Sequence, residues 1–240
     1  MSHSSRSTTS NLQQATETFV KQYMRHYDSS HDWSHIQRVL HLALHIAHTE
    51  QQQQQQPSTA YNLELITLAA LLHDVGDAKY AVLGDPPDPV RRFLISAGAG
   101  EELAETVQRV TDRVSFSKEM KDPKGVRRVL GMHPELGVVQ DADRLDALGA
   151  VGIARCFTFG ASHAERERQR GREEGRDDLA EQQEGDEVNG MAQAVDHFEE
   201  KLVRLEGMMK TATGKSIARI RTERLVTFRD WWHEEQDGIF

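Results

Sequence analysis

The sequence predicts an all-α fold, and three observations carry the prediction. Apolar residues recur at helical spacing along most of the chain, no alternating strand pattern of useful length occurs, and the stretch from Glu64 to Asp77 is apolar on nearly every face for about its first two and a half turns. A segment of that last kind reads as a helix buried among other helices. It ends in His73-Asp74, and an unpaired charge in an interior is costly, so the pair calls for a partner or a metal.

Taken in order, residues 1–10 are Ser/Thr-rich and aperiodic, which predicts a disordered tail ahead of a single folded domain over 11–240. From Asn11, a candidate N-cap, Leu12, Ala15, Phe19 and Tyr23 predict a first helix to about His26. A second helix follows the polar stretch 28–35, with Ile36, Val39, Leu40, Ala43, Ile46 and Ala47 as its apolar stripe. His35 lies in line with Val39 and Leu42 and is expected to point toward the core, and Arg38 reaches the same neighbourhood. His41, His45 and His48 mimic a chelating set but fall on the opposite face, where solvated histidines are expected. The glutamine run through Pro57, residues 51–57, predicts a solvated linker. The buried helix comes next, with Gly76 as its cap. Residues 84–89 read as a turn-rich loop, Pro89 as the opening of a short helix through Ile95, residues 101–113 as an amphipathic helix, and 115–125 as a loop.

Residues 138–157 again set acidic residues against a small, apolar, Ala/Gly-rich helix that permits close packing. Over 163–190 the composition turns to mixed Glu, Arg, Gln, Asp and Gly, too polar to offset the entropy of ordering, and predicts a disordered insertion. Structure is expected to resume at Met191, with one helix marked by Val195, Phe198, Leu202 and Leu205. Ile217, Ile220, Leu225, Phe228 and Trp232 mark the last. Cys156 reads as a packed small residue, and Trp231 and Trp232 as aromatic docking groups of that last helix.

Composition narrows the function classes. A net charge of −9 argues against a general binder of nucleic acid or anionic membrane, although local basic patches remain compatible with it. A single cysteine excludes an intramolecular disulfide and suits a reducing compartment, with the cytoplasm expected and the nucleus not set aside. Neither an apolar signal segment nor a bilayer-length run occurs.

The chemistry is expected to reside in His35, the pair His73 and Asp74, and Asp143, which come from separate predicted helices. Adjacent residues diverge by about 100° on a helix, so His73 and Asp74 bind one ion only if it sits in the groove beside their helix, with ligands from flanking helices completing the sphere. Two imidazoles and two carboxylates suit a divalent ion of the manganese, magnesium, cobalt, nickel or iron type better than structural zinc. Such an ion keeps open positions, as metal-assisted hydrolysis requires.

The order His, His-Asp, Asp resembles the HD-domain superfamily of metal-dependent phosphohydrolases. The resemblance is carried by His31-Asp32-Trp33-Ser34-His35-Ile36-Gln37-Arg38-Val39, Leu71-Leu72-His73-Asp74-Val75-Gly76-Asp77, Gln140-Asp141-Ala142-Asp143-Arg144-Leu145-Asp146-Ala147 and His197-Phe198-Glu199-Glu200-Lys201-Leu202. Within that superfamily the chain is similar to the small bacterial YpgQ-type branch. The resemblance implies a helical HD-domain bundle around a central buried helix. It also implies one divalent metal, manganese in the first place, and hydrolysis of a nucleoside or deoxynucleoside triphosphate to monophosphate and pyrophosphate. A nucleoside 5′-monophosphatase and a non-catalytic regulatory binder of metal and nucleotide are the alternatives, and a homodimer is left open. Around the ligands, Asp77 is expected to orient a ligand or the attacking water. Asp146 is assigned a similar supporting role at the substrate, and Arg38, Lys201, His197 and His31, with Lys79 behind them, offset phosphate charge.

Overall fold

The computed structural model describes residues 3–26, 32–53, 60–76, 87–158, 191 and 194–238, and among these no strand occurs. The fold is all-α. By contacts it divides into two compact units, the first Met1–His26, Trp33–Asp143 and Lys210–Gly214, the second Tyr27–Asp32, Arg144–Met209 and Lys215–Phe240.

In the first unit the chain forms α1 (His3–Tyr23), a 3-10 turn (Met24–His26), α2 (Trp33–Gln53), α3 (Leu63–Leu72), α4 (Pro89–Ser96), α5 (Glu101–Thr111), α6 (Phe116–Lys121), α7 (Pro123–Met132) and most of α8 (Glu135–Asp146). Helix α3 is the centre, packed against α1, α2 and α5. Asn62 caps it, its side-chain oxygen accepting from Leu65 N at 3.1 Å. Leu65, Ile66, Leu68, Ala69, Ala70, Leu71 and Leu72 are all buried. A helix apolar on every side can satisfy all of them only when helices surround it, and each buried Leu or Ile then contributes about 1.5–3 kcal/mol.

Around this core, α2 turns Ile36, Val39, Leu40, Ala43, Ile46 and Ala47 inward and leaves His41, His45 and His48 exposed, as the stripe requires. Helix α1 buries Leu12, Thr16 and Val20, and the turn after it Met24, one step round from the expected face. That rotation frees Phe19 to stack on Phe93 of α4 with ring centroids 4.0 Å apart, and lets the Tyr23 hydroxyl accept from Gly76 N at 3.2 Å. Gly76 has φ of 77°, and a Cβ there would lie 2.6 Å from Pro89 Cγ, so only glycine fits where the chain leaves α3.

Three expectations of local structure are corrected. Helix α1 starts at His3 instead of Asn11, since propagating a helix beyond its packed turns costs little once it is nucleated. Helix α2 runs into the glutamine run as far as Gln53, for Gln is a fair helix former; the rest of the expected linker lies outside the described residues. The expected loop at 115–125 holds helix α6 and the start of α7. Ser115 caps the first by accepting from Lys118 N at 3.3 Å. Asp122 caps the second by accepting from Gly125 N at 2.8 Å, with Pro123 at the first helical position.

In the second unit, a helix over 149–158 (α9) follows α8. After a short helical stretch at 194–197 come a π turn (Phe198–Leu202), a 3-10 turn (Val203–Met208) and the body of α10 (Ala212–Gln236). Phe157, the fully buried Phe198, Phe228 and Trp232 form an aromatic cluster with Phe157 at its centre, 5.9–6.2 Å from the other rings. Trp232 therefore docks as expected, whereas Trp231 is exposed. The insertion 163–190 lies outside the described residues.

Candidate metal centre

Each ligand candidate is placed by a helix end. His35 sits in the first turn of α2 with its side chain 1% exposed. His73 and Asp74 are the two residues after Leu72, where α3 gives way to a turn. Asp143 lies on α8, its side chain 27% exposed against 13% for Asp74, so it forms the open side of the group.

The four side chains converge. His35 Nε2 and His73 Nε2 are 3.2 Å apart. Asp74 Oδ2 lies 3.5 Å from His35 Nε2, and Asp74 Oδ1 lies 3.4 Å from His73 Nε2. Asp143 Oδ1 is 3.7 Å from both imidazole nitrogens. The Ala70 carbonyl can only accept, so the 2.9 Å contact of His73 Nδ1 with it fixes the proton on Nδ1 and turns the Nε2 lone pair of the neutral ring toward His35. Nitrogen lone pairs facing each other and flanked by carboxylates need a cation between them, either a proton or a metal ion. Adjacent ligands on one ion at about 2.1 Å are about 3 Å apart, close to the separations found here. The residues therefore fit a divalent metal.

Electrostatics give the same result. Burial disfavours a charged His73, but Asp74 and Asp143 beside it outweigh burial and raise its pKa to about 9. Asp143 is held below the ordinary carboxylate range: burial raises it, and the positive charge of His73 and His35 beside it lowers it by more. In the metal-free protein the His73 proton is thus favoured by the fold. Its stabilising contribution is complete below about pH 6.5 and lost as pH rises through about 9. A metal takes the neutral ring, so binding at pH 7 is expected to release close to one proton, and the apparent affinity to rise with pH up to about 9. Calorimetry in buffers of different ionisation enthalpy measures this; proton-neutral binding at pH 7 would contradict it.

The other expected site residues lie on several elements of the two units. Arg38 is half-buried on α2, one turn beyond His35. Asp146 is buried in the second unit, where its Oδ2 accepts from Arg155 Nη1 at 2.7 Å. His197 and Lys201 also belong to the second unit, Lys201 within the π turn. Lys201 lies near enough to Cys156 to favour its thiolate, but burial prevails and raises the thiol to about 11, which suits a packed residue and not a nucleophile. Asp77, His31 and Lys79 lie outside the described residues.

Sequence reasoning missed three carboxyl groups on the ligand helices, two of them buried and Glu50 half-buried. Asp141 is fully buried and accepts from Lys210 N, Thr211 N and Thr211 Oγ1. Glu50 accepts from Thr213, and Glu135 from Asn62 N. Their only sequence signal is the Thr-Ala-Thr-Gly string at 211–214, which supplies hydroxyl and amide donors at a helix start.

A helical bundle that gathers imidazoles and carboxylates from separate helices into one pocket of cation-seeking atoms defines a metal-binding α-protein. Residues 32–148 match the HD domain family. The chain is 33% identical to protein YpgQ of Bacillus subtilis over 237 residues, covering 95% of this chain and 96% of that one. The crystal structure of B. subtilis YpgQ in complex with ADP superimposes with a TM-score of 0.65 at 29% identity, covering 97% of this chain and 98% of the other. A HD-superfamily hydrolase from Bacillus thuringiensis does so with 0.60 at 27%, covering 95% and 98%. The chain belongs to the HD-domain family.

Proposed function

We propose that the protein is a metal-dependent phosphohydrolase that splits nucleoside or deoxynucleoside triphosphates, with water, into monophosphate and pyrophosphate. The observation that carries the reading is the convergence of His35, His73 and Asp74 on one point, with Asp143 3.7 Å from both imidazole nitrogens and more exposed than Asp74. Support for a nucleotide comes from the B. subtilis relative whose structure holds ADP. A divalent ion there, manganese first by the donor set, supplies Lewis acidity toward a phosphoryl oxygen and lowers the pKa of water.

The chain's own residues do the rest. His35 and His73 offer neutral nitrogen donors, with Ala70 holding the His73 ring in place, and Asp74 and Asp143 neutralise a divalent charge. The polyphosphate then needs further cations, and Arg38 and Lys201, with His197 and His31, are assigned to it. Lys201 sits in a π turn, a geometry frequent at functional sites. Asp77, four residues after His73, is assigned to orient water. Asp146 is assigned a supporting role through its pair with Arg155.

A panel of nucleoside mono-, di- and triphosphates with manganese, magnesium, cobalt or nickel tests the reading, with pyrophosphate and inorganic phosphate measured separately. Pyrophosphate release from a triphosphate is expected. Phosphate release from monophosphates alone would replace the reading with a 5′-monophosphatase, and inactivity across the panel with a binding protein.

A further inference from the structure

Helices α2 and α8 carry ligand candidates and α3 leads into two more, and each is tied to another through residues other than those ligands. Residues 210–214 make the central tie. Asp141 of α8 accepts from Lys210 N at 2.8 Å, from Thr211 N at 2.8 Å and from Thr211 Oγ1 at 2.8 Å. Two residues on, Thr213 N and Oγ1 both donate to Glu50 Oε1 near the end of α2, each at 2.6 Å. The same helix α8 holds α3, since Glu135 Oε1 accepts from Asn62 N, the cap residue, at 2.9 Å. Lys210 Nζ adds an ion pair with Glu119 of α6 at 2.8 Å.

The geometry of this strap leaves no slack. Asp141 is fully buried, and Thr213 and Glu135 are each 7% exposed. A Cβ on Gly214 would lie 2.3 Å from Asp141 Oδ2, so the backbone approaches that carboxylate as closely as glycine alone allows. Burial, with the negative charge of Glu50, Glu135 and Asp141, raises the Tyr61 pKa. Glu50 is fifteen residues, or about 22 Å of helix, from His35. On α8 the clasp grips Asp141, two residues from Asp143, and on α2 it grips Glu50 at the end remote from His35, so it fixes the direction α2 takes from His35 relative to the segment of α8 that carries Asp143.

We propose that Lys210–Gly214 is a clasp that sets the spacing of the ligand-bearing helices, with Asp141 and Glu50 as positioning residues for the metal centre. The proposal rests on the metal-site reading above. It assigns these carboxylates an effect on metal affinity and not only on folding.

The test is Mn2+ binding to the metal-free full chain by calorimetry, well below the melting temperature, with Tm recorded alongside. Asp74→Ala tests the site itself: retained wild-type affinity would overturn the site reading and the clasp with it. If Asp74→Ala loses the metal, Asp141→Asn is expected to weaken binding by about tenfold, the lower end of what ligand-orienting groups contribute. Thr213→Val, which removes one donor to Glu50, is expected to weaken it about threefold, and Thr213→Ser to restore it. Val126→Ala, a cavity in α7 away from clasp and ligands, is expected to lower Tm and leave the affinity unchanged. Wild-type affinity in Asp141→Asn despite a lowered Tm would overturn the clasp. Should Asp141→Asn fail to fold, the Thr213 pair decides, and equal affinities for Val and Ser would overturn it.

Discussion

Asp74→Ala is expected to empty the metal centre and abolish hydrolysis. Asp74 reaches both imidazoles, with Oδ2 3.5 Å from His35 and Oδ1 3.4 Å from His73, and it is the neighbouring charge that most strongly favours a cation at His73. Without it, two neutral rings and one partly exposed carboxylate remain, a set that leaves a divalent charge half-balanced. Metal content is expected to fall from about one ion per chain to less than about a tenth. Lewis-acid assistance is worth several kcal/mol of barrier, and about 1.4 kcal/mol is tenfold in rate, so kcat/KM is expected to drop by about a thousandfold or more. Elemental analysis of the purified variant and a pyrophosphate assay check both. Full metal content in a folded variant would remove Asp74 from the ligand set.

Leu71→Ala carries the largest expected loss of stability. Leu71 is completely buried in α3, two residues before His73, within a helix packed on several sides. Rigid neighbours cannot collapse into the space left, so a cost of about 2–5 kcal/mol is expected. For a chain of this size that lowers Tm by roughly 4–20 °C. Saturating metal is expected to restore part of it, about 2.7 kcal/mol at a hundred times Kd, because the metal binds only the folded chain. Thermal melts with and without Mn2+ measure both effects. An unchanged Tm would mean that α3 is not the packed centre of the first unit.

What could be read in the sequence was what local chemistry determines. The segment around Leu65–Leu72 was legible because an all-round apolar helix has one stable environment, and His73-Asp74 because ionisable residues at its end contradict that environment unless they meet a cation. The outward face of His41, His45 and His48 followed from helical phase alone. The helices at 116–132 were missed because Ser115 and Asp122-Pro123 are also turn formers, and only tertiary packing decides which role they take. The burial of Asp146 was not legible, since its ion pair with Arg155 is one that pattern alone does not assign. The clasp was invisible for a similar reason. Asp141 and Thr211, or Glu50 and Thr213, are unremarkable polar residues until the fold closes the long stretches between them.

Those same long separations bear on how the site is made. All four ligand candidates have left the ribosome once Asp143 has, but the partner of Glu50 is 163 positions away in sequence. At about 5–20 residues per second, translation takes some seconds to travel from Asp143 to Gly214. During that interval the nascent chain holds every donor atom without the strap that fixes their spacing, and closing so long a loop is among the slower steps of folding. Full metal affinity is therefore expected only after residues 210–214 have been released and the clasp has closed.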